Sequence, residues 1–354
     1  MRRLSRKNAN QRARSMVCWL AAFVIGGHVF LSVGMGSLFP QLRDPEYGRK
    51  RIRLEQRLAE NPARPLVLVL GSSRIAMGLR PGVLEPSKDQ PIVFNAALVG
   101  SGPLMELMCL RRLLADGVKP DGVVIEVWPP FLHDAAYFRE YTRIDINRVR
   151  LGDIALLQSY ASAEQSEQLI RDTRWVRISP WYSHRFFLLS QVFPTWVATS
   201  SRRDFLFNNM DEWGWLPGVP ASMMNPASRA KAVMAGHAYY APMLADWKLH
   251  ADSDRALHEL LDLCRAEKLP VTLLMMPESS ELRGWYSDGT RQRFDAYLRN
   301  LRETHQLPLF DLRDWMTDDH LSDTFHLSRE GAIVFTERFG REVLPKVRVR
   351  GNMP

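Results

Sequence analysis

The stretch that decides the fold is Pro65-Leu-Val-Leu-Val-Leu70-Gly71-Ser72-Ser73-Arg74. Its apolar run is continuous and does not alternate with polar residues, which is typical of a strand buried on both faces of a sheet. Gly71 ends the run and allows a tight turn. The two serines then fall where the strand connects to the next helix.

Similar apolar runs recur along the chain and alternate with segments of helical periodicity. The further strand candidates are Pro91–Ala97, Gly122–Trp128, Pro270–Met276 and Leu307–Leu312, and the helix candidates are Leu104–Ala115, Asp252–Glu267, Arg291–His305 and Ser328–Leu344. This alternation predicts an α/β fold, a three-layer α/β/α sandwich around a parallel, flavodoxin-like sheet. Ligands of such sheets bind beyond the carboxyl ends of the strands.

Residues 131–250 interrupt this alternation and predict a mostly helical insertion, or cap, between the third and fourth strands. The body of the fold then comprises residues 65–130 and 251–348. The insertion begins with one predicted helix over Asp153–Thr173 and holds six of the ten tryptophans. These tryptophans either form the core of the insertion or stack on sugar rings, with Trp213 and Trp215 favoured for stacking.

The N-terminus has the features of a membrane anchor. Met16–Phe39 contains 24 residues without Asp, Glu, Lys or Arg, which is long enough to cross a bilayer. Residues 1–15 carry six positive charges and no acid, so the positive-inside rule keeps this tail in the cytoplasm. A cleaved signal peptide is the alternative, because small residues (Gly34, Gly36, Ser37) offer a cleavage site. Residues 40–64 are predicted to form a stalk, and on either alternative the body is exported to the periplasmic side of the inner membrane.

Composition and charge exclude several classes of protein. The chain has 46% apolar and 24% charged residues, a globular composition. Its net charge of +8 comes mostly from the N-terminal tail, and a nucleic-acid binder would instead carry a basic face on its folded body. Three scattered cysteines, Cys18, Cys109 and Cys264, form neither a disulfide framework nor a zinc motif. We therefore predict no nucleic-acid partner and no metal or other cofactor.

Three residues near predicted strand ends suit nucleophilic catalysis. A serine on a strand-to-helix turn, here Ser73, exposes its hydroxyl beside backbone N–H groups that can hold an oxyanion. His326 can accept the proton of that hydroxyl, and Asp323, three residues earlier, can orient the imidazole. Taken singly, these signals have structural alternatives: the serine can be the N-cap of a helix, and the Asp can cap a helix beside a solvated histidine.

The order of these motifs resembles the SGNH, or GDSL-type, hydrolase superfamily over residues 65–135 and 268–345. The family's Gly-Asp-Ser block corresponds to Gly71-Ser72-Ser73, its second-block glycine to Gly100, and its Asp-x-x-His block to Asp323–His326. The resemblance implies a Ser73–His326–Asp323 triad with the N–H groups of Ser73 and Gly100 in the oxyanion hole. The chain departs from the family at Ser72, which replaces Asp, and at Val127-Trp128-Pro129-Pro130, which lacks the third-block asparagine.

Gly-Ser-Ser behind one N-terminal anchor is similar to the membrane-anchored branch of that superfamily, which includes proteins of polysaccharide O-acetylation and of teichoic acid D-alanine transfer. The resemblance implies an exported serine esterase or O-acyltransferase, for acetyl groups by analogy, acting on an envelope polysaccharide beside a multispanning membrane acyltransferase. Because the third block is missing, a catalytically weak or inactive partner of such an acyltransferase is the alternative.

Four further polar residues lie at or near the predicted strand ends. Arg74 and Glu126 are expected to form a buried ion pair that braces the site, in preference to contacting substrate. Asn95 is expected to fix its turn through side-chain hydrogen bonds. Glu278 is either a binding residue at the rim or a plain loop carboxylate.

Overall fold

The computed structural model describes residues 2–34, 39–84, 90–135, 140–198 and 207–350. Its centre is a parallel sheet of five strands: β1 (Leu66–Leu70), β2 (Ile92–Asn95), β3 (Gly122–Glu126), β4 (Val271–Met275) and β5 (Leu309–Asp311). The strand order is β2-β1-β3-β4-β5, and every pairing is parallel. The predicted α/β sandwich with a flavodoxin-like sheet is confirmed.

Helices cover both faces of this sheet. Alternate residues of β1 point to opposite sides, so Leu68 packs on one apolar core and Val67 on the other. The core on the first side is completed by α3 (Pro45–Glu60), α5 (Pro103–Ala115), α10 (Ala251–Ala266) and α12 (Asp288–His305), and that on the second side by α4 (Ser73–Gly78) and α13 (Arg329–Glu342). Burial on both faces explains why the strands are continuous apolar runs.

The N-terminal segment is one helix, α1 (Arg2–Val33). Within it, Asn10–Val33 is long and apolar enough to cross a membrane, and most of its side chains are exposed. The helix ends at Val33, six residues before the predicted end of the anchor at Phe39. Residues 35–38, which hold part of the candidate cleavage site, lie outside the described residues.

The stalk predicted over residues 40–64 is wrong, because this segment is part of the folded body. A short helix, α2 (Pro40–Arg43), leads into α3, whose Tyr47 and Leu54 are fully buried in the first core. Asp44 caps α3 by accepting a hydrogen bond from the N–H of Tyr47 at 3.1 Å. Two of the acidic residues of this segment are paired and not solvated, because Arg148 of the insertion bonds to both Asp44 and Glu46.

The insertion contains α6 (Ile154–Ser159), α7 (Ala163–Ile178), α8 (Pro180–Val192) and α9 (Pro226–Ala245). The single helix predicted over Asp153–Thr173 is wrong. The chain breaks after Ser159, and Ser162 starts α7 with a capping box closed by Gln165. One more short helix, α11 (Ser280–Gly284), follows β4.

The tryptophans of the insertion divide into a buried and an exposed group. Trp215 and Trp247 are buried, and the indole N–H of Trp215 donates to Met77 O at 2.6 Å. Trp213 is half-buried beneath the guanidinium of Arg57. The preference for Trp215 as a sugar-stacking residue is therefore wrong. The exposed group is Trp175, Trp181 and Trp196.

Candidate active site

Ser73 lies on the tight turn between β1 and α4. It is the first residue of α4, so its N–H has no partner within the helix. The preceding residue is the N-cap: Ser72 Oγ accepts a hydrogen bond from Arg74 N at 3.1 Å. Because Ser72 takes the capping role, the hydroxyl of Ser73 is free for another contact.

That contact is with His326, 253 residues further along the chain. Ser73 Oγ lies 2.8 Å from His326 Nε2, within hydrogen-bond distance. On the other side of the ring, His326 Nδ1 lies 2.7 Å from Asp323 Oδ2. The structure thus brings together the three side chains that the sequence motifs indicate, in the order serine, imidazole, carboxylate.

Asp323 is fixed by its own loop. Its second oxygen, Oδ1, accepts hydrogen bonds from Phe325 N and His326 N, each at 2.8 Å. Burial alone would raise the pKa of Asp323, but the charge and hydrogen bond of His326 and the two N–H donors outweigh it and lower the pKa. The carboxylate therefore stays ionised, oriented toward the imidazole.

The serine–imidazole pair is reachable from solvent. The side chains of His326 and Asp323 are 22% and 26% exposed, and Ser73 is half-buried. Ser322 N donates to His326 O at 2.8 Å, which closes the loop that carries the imidazole. A small molecule can therefore reach Ser73 Oγ from solvent, while His326 is held by main-chain contacts.

The two glycines of the predicted motifs have different surroundings. A Cβ on Gly71 would lie 2.6 Å from Ile75 and 2.7 Å from Glu126 Oε2, so only glycine fits at this position. Gly100 has a φ of +76°, the left-handed conformation that glycine adopts without strain, and no atom lies within 4 Å of where its Cβ would be.

The third-block position supplies no side-chain amide. Val127 N is already bonded to Leu274 O at 2.9 Å, and the indole N–H of Trp128 donates to Glu278 Oε1 at 3.0 Å. Trp128 instead packs below the turn, where the guanidinium carbon of Arg74 lies 4.6 Å from its ring centroid.

Beneath the serine turn lies a buried charge network centred on Arg74. Its guanidinium lies 3.4 Å from Glu126 and 3.6 Å from Glu278, and it donates to Met276 O at 2.8 Å. Glu126 Oε2 accepts from Ser72 N at 2.7 Å, which ties the network to the turn. Burial raises the pKa of Glu278, although Arg74 and other partners oppose that shift. All three side chains are buried, so they support the site from below and do not line its opening.

Asn95 holds the underside of α4. Its Nδ2 donates to Ile75 O at 2.8 Å and to Leu79 O at 2.7 Å, and its Oδ1 accepts from Ala97 N at 3.3 Å. Its predicted role in fixing local turns agrees with these bonds. The sequence analysis missed Lys50, which lies beside it and donates to Asn95 O at 2.8 Å. No local pattern signals Lys50, because it sits among the charges of a predicted stalk.

An aromatic cluster beside the imidazole also escaped the sequence analysis. Phe325 packs on His326 with ring centroids 4.3 Å apart, and Trp128 and Tyr240 pack on Phe325 at 5.0 and 5.1 Å. Tyr240 belongs to α9, so the insertion contributes a wall of the site. The sequence did offer one indication of this cluster, because Trp128 stands at the position where the family has its third-block motif.

Among the described residues, no group of three or more His, Cys, Asp or Glu side chains is placed to hold a metal ion.

Comparison with known proteins finds similarity to solved structures only. No protein-family model matches the chain, and no curated protein matches it. Among solved structures, the chain is similar to a Bacteroides fragilis protein assigned as an acylhydrolase. The two are 12% identical with a TM-score of 0.36, and the alignment covers 82% of this chain and 95% of the other.

Proposed function

We propose that this protein is an exported, membrane-anchored serine esterase or O-acyltransferase. The observation that carries the proposal is the continuous hydrogen-bonded line from Ser73 Oγ through His326 to Asp323. A hydroxyl is a poor nucleophile until a base removes its proton, and this line supplies the base and its orienting carboxylate.

The reaction proceeds in two acyl transfers. As Ser73 Oγ attacks the carbonyl carbon of an ester, His326 Nε2 takes the hydroxyl proton and Asp323 stabilises the imidazolium. The C–O bond to the alcohol then breaks, and the alcohol leaves with the proton from His326, which gives an acyl-serine. In the second transfer, water or a sugar hydroxyl loses its proton to His326 and attacks the acyl carbon. The bond between that carbon and Ser73 Oγ then breaks, and His326 returns the proton to Ser73 Oγ.

The oxyanion hole is proposed to consist of the N–H groups of Ser73 and Gly100. Their support is the position of Ser73 at the start of α4, where its N–H has no partner within the helix, and the left-handed turn at Gly100. Removing one oxyanion donor from a serine protease costs a factor of ~100–1000 in rate. With no third-block asparagine, we expect correspondingly slow turnover unless another donor completes the hole.

The resemblance to the membrane-anchored branch of the SGNH superfamily extends the proposal to a substrate and a cellular location. We propose that the acyl group is acetyl and the acceptor an envelope polysaccharide on the periplasmic side of the inner membrane. Residues 10–33 support an anchor, since they form a helix of spanning length. A multispanning acyltransferase is the proposed donor of acyl groups.

The nucleophile is tested by trapping the acyl-enzyme. The full-length protein in detergent, incubated with an activated acetyl ester, is expected to carry one acetyl group on Ser73, located by peptide mass spectrometry. Ser73→Ala should abolish the adduct. Ser72→Ala is the matched control, because it removes only the helix cap and should still form the adduct. A folded protein that forms no adduct at Ser73 would refute the proposal that this protein is a serine esterase or O-acyltransferase.

A second candidate is a non-catalytic partner that binds a polymer or the acyltransferase. The absent third-block asparagine favours it. In a deletion strain, a Ser73→Ala chain that restores the full phenotype would support this candidate and defeat the esterase. Failure of Ser73→Ala to restore it, with Ser72→Ala restoring it, would support the enzyme.

A further inference from the structure

Part of the insertion exposes apolar side chains that a water-facing domain normally buries. In the α7–α8 segment, defined here as residues 173–198, nine large apolar residues are exposed: Trp175, Ile178, Trp181, Tyr182, Phe186, Leu189, Val192, Phe193 and Trp196. Elsewhere outside α1, the large exposed apolar residues of the described chain are scattered. Exposed apolar side chains that are concentrated in one segment are typical of an interaction surface.

The charge of this segment fits a lipid surface. From residue 173 to residue 203 the sequence has no Asp or Glu, whereas Arg174, Arg177 and Arg185 lie among the aromatic residues. Arg185 stacks on Tyr182 and Phe186, with its guanidinium carbon 3.7 and 4.4 Å from the ring centroids. Tryptophan, tyrosine and arginine without acids are the composition of segments that lie in the headgroup region of anionic bilayers.

The spacing of the exposed residues gives α8 one apolar face. Tyr182, Phe186, Leu189 and Phe193 follow each other at intervals of four, three and four residues, which places them in a single stripe along the helix. His184 and Ser190 lie off this stripe and are buried. The stripe therefore points away from the protein.

The start of α8 lies beside α1. A Cβ on Gly27 of α1 would lie 3.8 Å from Trp181 Cζ2 at the start of α8. Gly27 is six residues before the end of α1 at Val33, which places Trp181 about 9 Å along the helix axis from that end. Interfacial helices bury their apolar face ~5–10 Å into the boundary between headgroups and acyl chains. Trp181 therefore lies beside a level of α1 that is within the proposed span.

We propose that the α7–α8 segment inserts into the outer leaflet beside α1 and holds the body in a fixed orientation against the bilayer. This inference rests on the proposed membrane span of α1 and is independent of the catalytic proposal. The ligand is the lipid bilayer itself: acyl chains contact the apolar stripe, and anionic headgroups contact the arginines. A protein partner remains an outcome of the test.

The test uses the full-length protein in nanodiscs of phosphatidylethanolamine and phosphatidylglycerol, with a single environment-sensitive fluorophore on cysteine. Cys109 and Cys264 are buried, so Cys18 serves as the natural probe of α1. In a Cys18→Ser background, Phe186→Cys places the probe on the stripe. Val334→Cys is the matched control, since Val334 is exposed on α13 at the opposite face of the sheet. Lipids that carry a doxyl quencher then report the contact.

We expect labels at positions 18 and 186 to lose fluorescence with doxyl lipids and the label at 334 to keep it. A label at 186 that stays bright while position 18 is quenched overturns the inference and leaves the span intact. A label at 186 that stays bright in nanodiscs but is shielded in native membranes overturns it in favour of a protein partner. Equal quenching at 186 and 334 also overturns it, and a bright label at position 18 refutes the span itself.

Discussion

At the scale of the residue, the state of one imidazole decides whether the site can act. In the neutral ring, the proton belongs on His326 Nδ1, where it is donated to Asp323, so that Nε2 is free to accept the proton of Ser73. Asp323 is held by two N–H donors of its own loop and therefore cannot turn away from the ring. An amide in place of this carboxylate would favour the wrong tautomer.

We expect Asp323→Asn to lower kcat against an activated ester by ~10⁴-fold, the loss seen when the triad acid of a serine protease is changed to asparagine, with the fold intact. The control is Asp311→Asn, because Asp311 pairs with Arg313 and not with His326. Steady-state kinetics of both variants decide the assignment, and equal losses would contradict it.

The lowered pKa of Asp323 also predicts an acid dependence of stability. The unfolded chain, with an ordinary pKa near 3.8, binds this proton more readily than the folded chain, so the carboxylate stabilises the fold above that pH. This stabilisation is lost as the pH falls through the folded pKa. The difference in unfolding free energy between wild type and Asp323→Asn should therefore shrink below a pH of about 4, measured by denaturant titration; a constant difference would contradict it.

At the scale of the element, the six-residue helix α4 depends on side chains from outside it. A helix this short is not stable by itself. Asn95, at the end of β2, donates to carbonyl groups of Ile75 and Leu79, which lie in or just after α4. The neighbouring strand thus fixes the helix that carries Ser73.

We expect Asn95→Ala to lower the free energy of unfolding by ~1–3 kcal/mol, because the carbonyl of Leu79 loses its donor, whereas that of Ile75 keeps the N–H of Leu79. It should also lower kcat, because Ser73 begins this helix. Asn300→Ala is the matched control: Asn300 is exposed on α12, where its contact is with Thr304, so a change within ~0.5 kcal/mol is expected. Chemical denaturation checks both, and equal stabilities would contradict the role of Asn95.

At the scale of the whole molecule, the network of Arg74 connects the ends of three strands. Arg74 follows β1, Glu126 ends β3 and Glu278 follows β4, and all three side chains are at most 5% exposed. Removing one partner of a buried ion pair leaves an uncompensated charge, which is far more costly than the pair is stabilising.

We expect Arg74→Met to destabilise the protein by ~3–5 kcal/mol, because two buried carboxylates lose their cation. Arg74→Lys should recover only part of this loss, since one ammonium cannot reach both carboxylates and the Met276 carbonyl as the guanidinium does. Arg265→Met, which breaks an exposed pair with Asp262, should change stability by no more than ~1 kcal/mol. Thermal unfolding of the three variants measures these differences. Full recovery of stability in Arg74→Lys would contradict the argument that only a guanidinium reaches all three partners.

The sequence by itself determined the α/β class, because a strand buried on both faces must be a continuous apolar run such as Leu66–Leu70. It also determined Asp323 and His326 as a local pair, since their three-residue spacing lets one loop hold both. Only the tertiary structure decided that Ser73 meets His326 across 253 residues, that Pro45–Glu60 is a core helix and not a stalk, and that Trp215 is buried while Trp181 is exposed. Local patterns show which surfaces are apolar or charged, whereas the partner that covers each surface comes from chain segments distant in sequence.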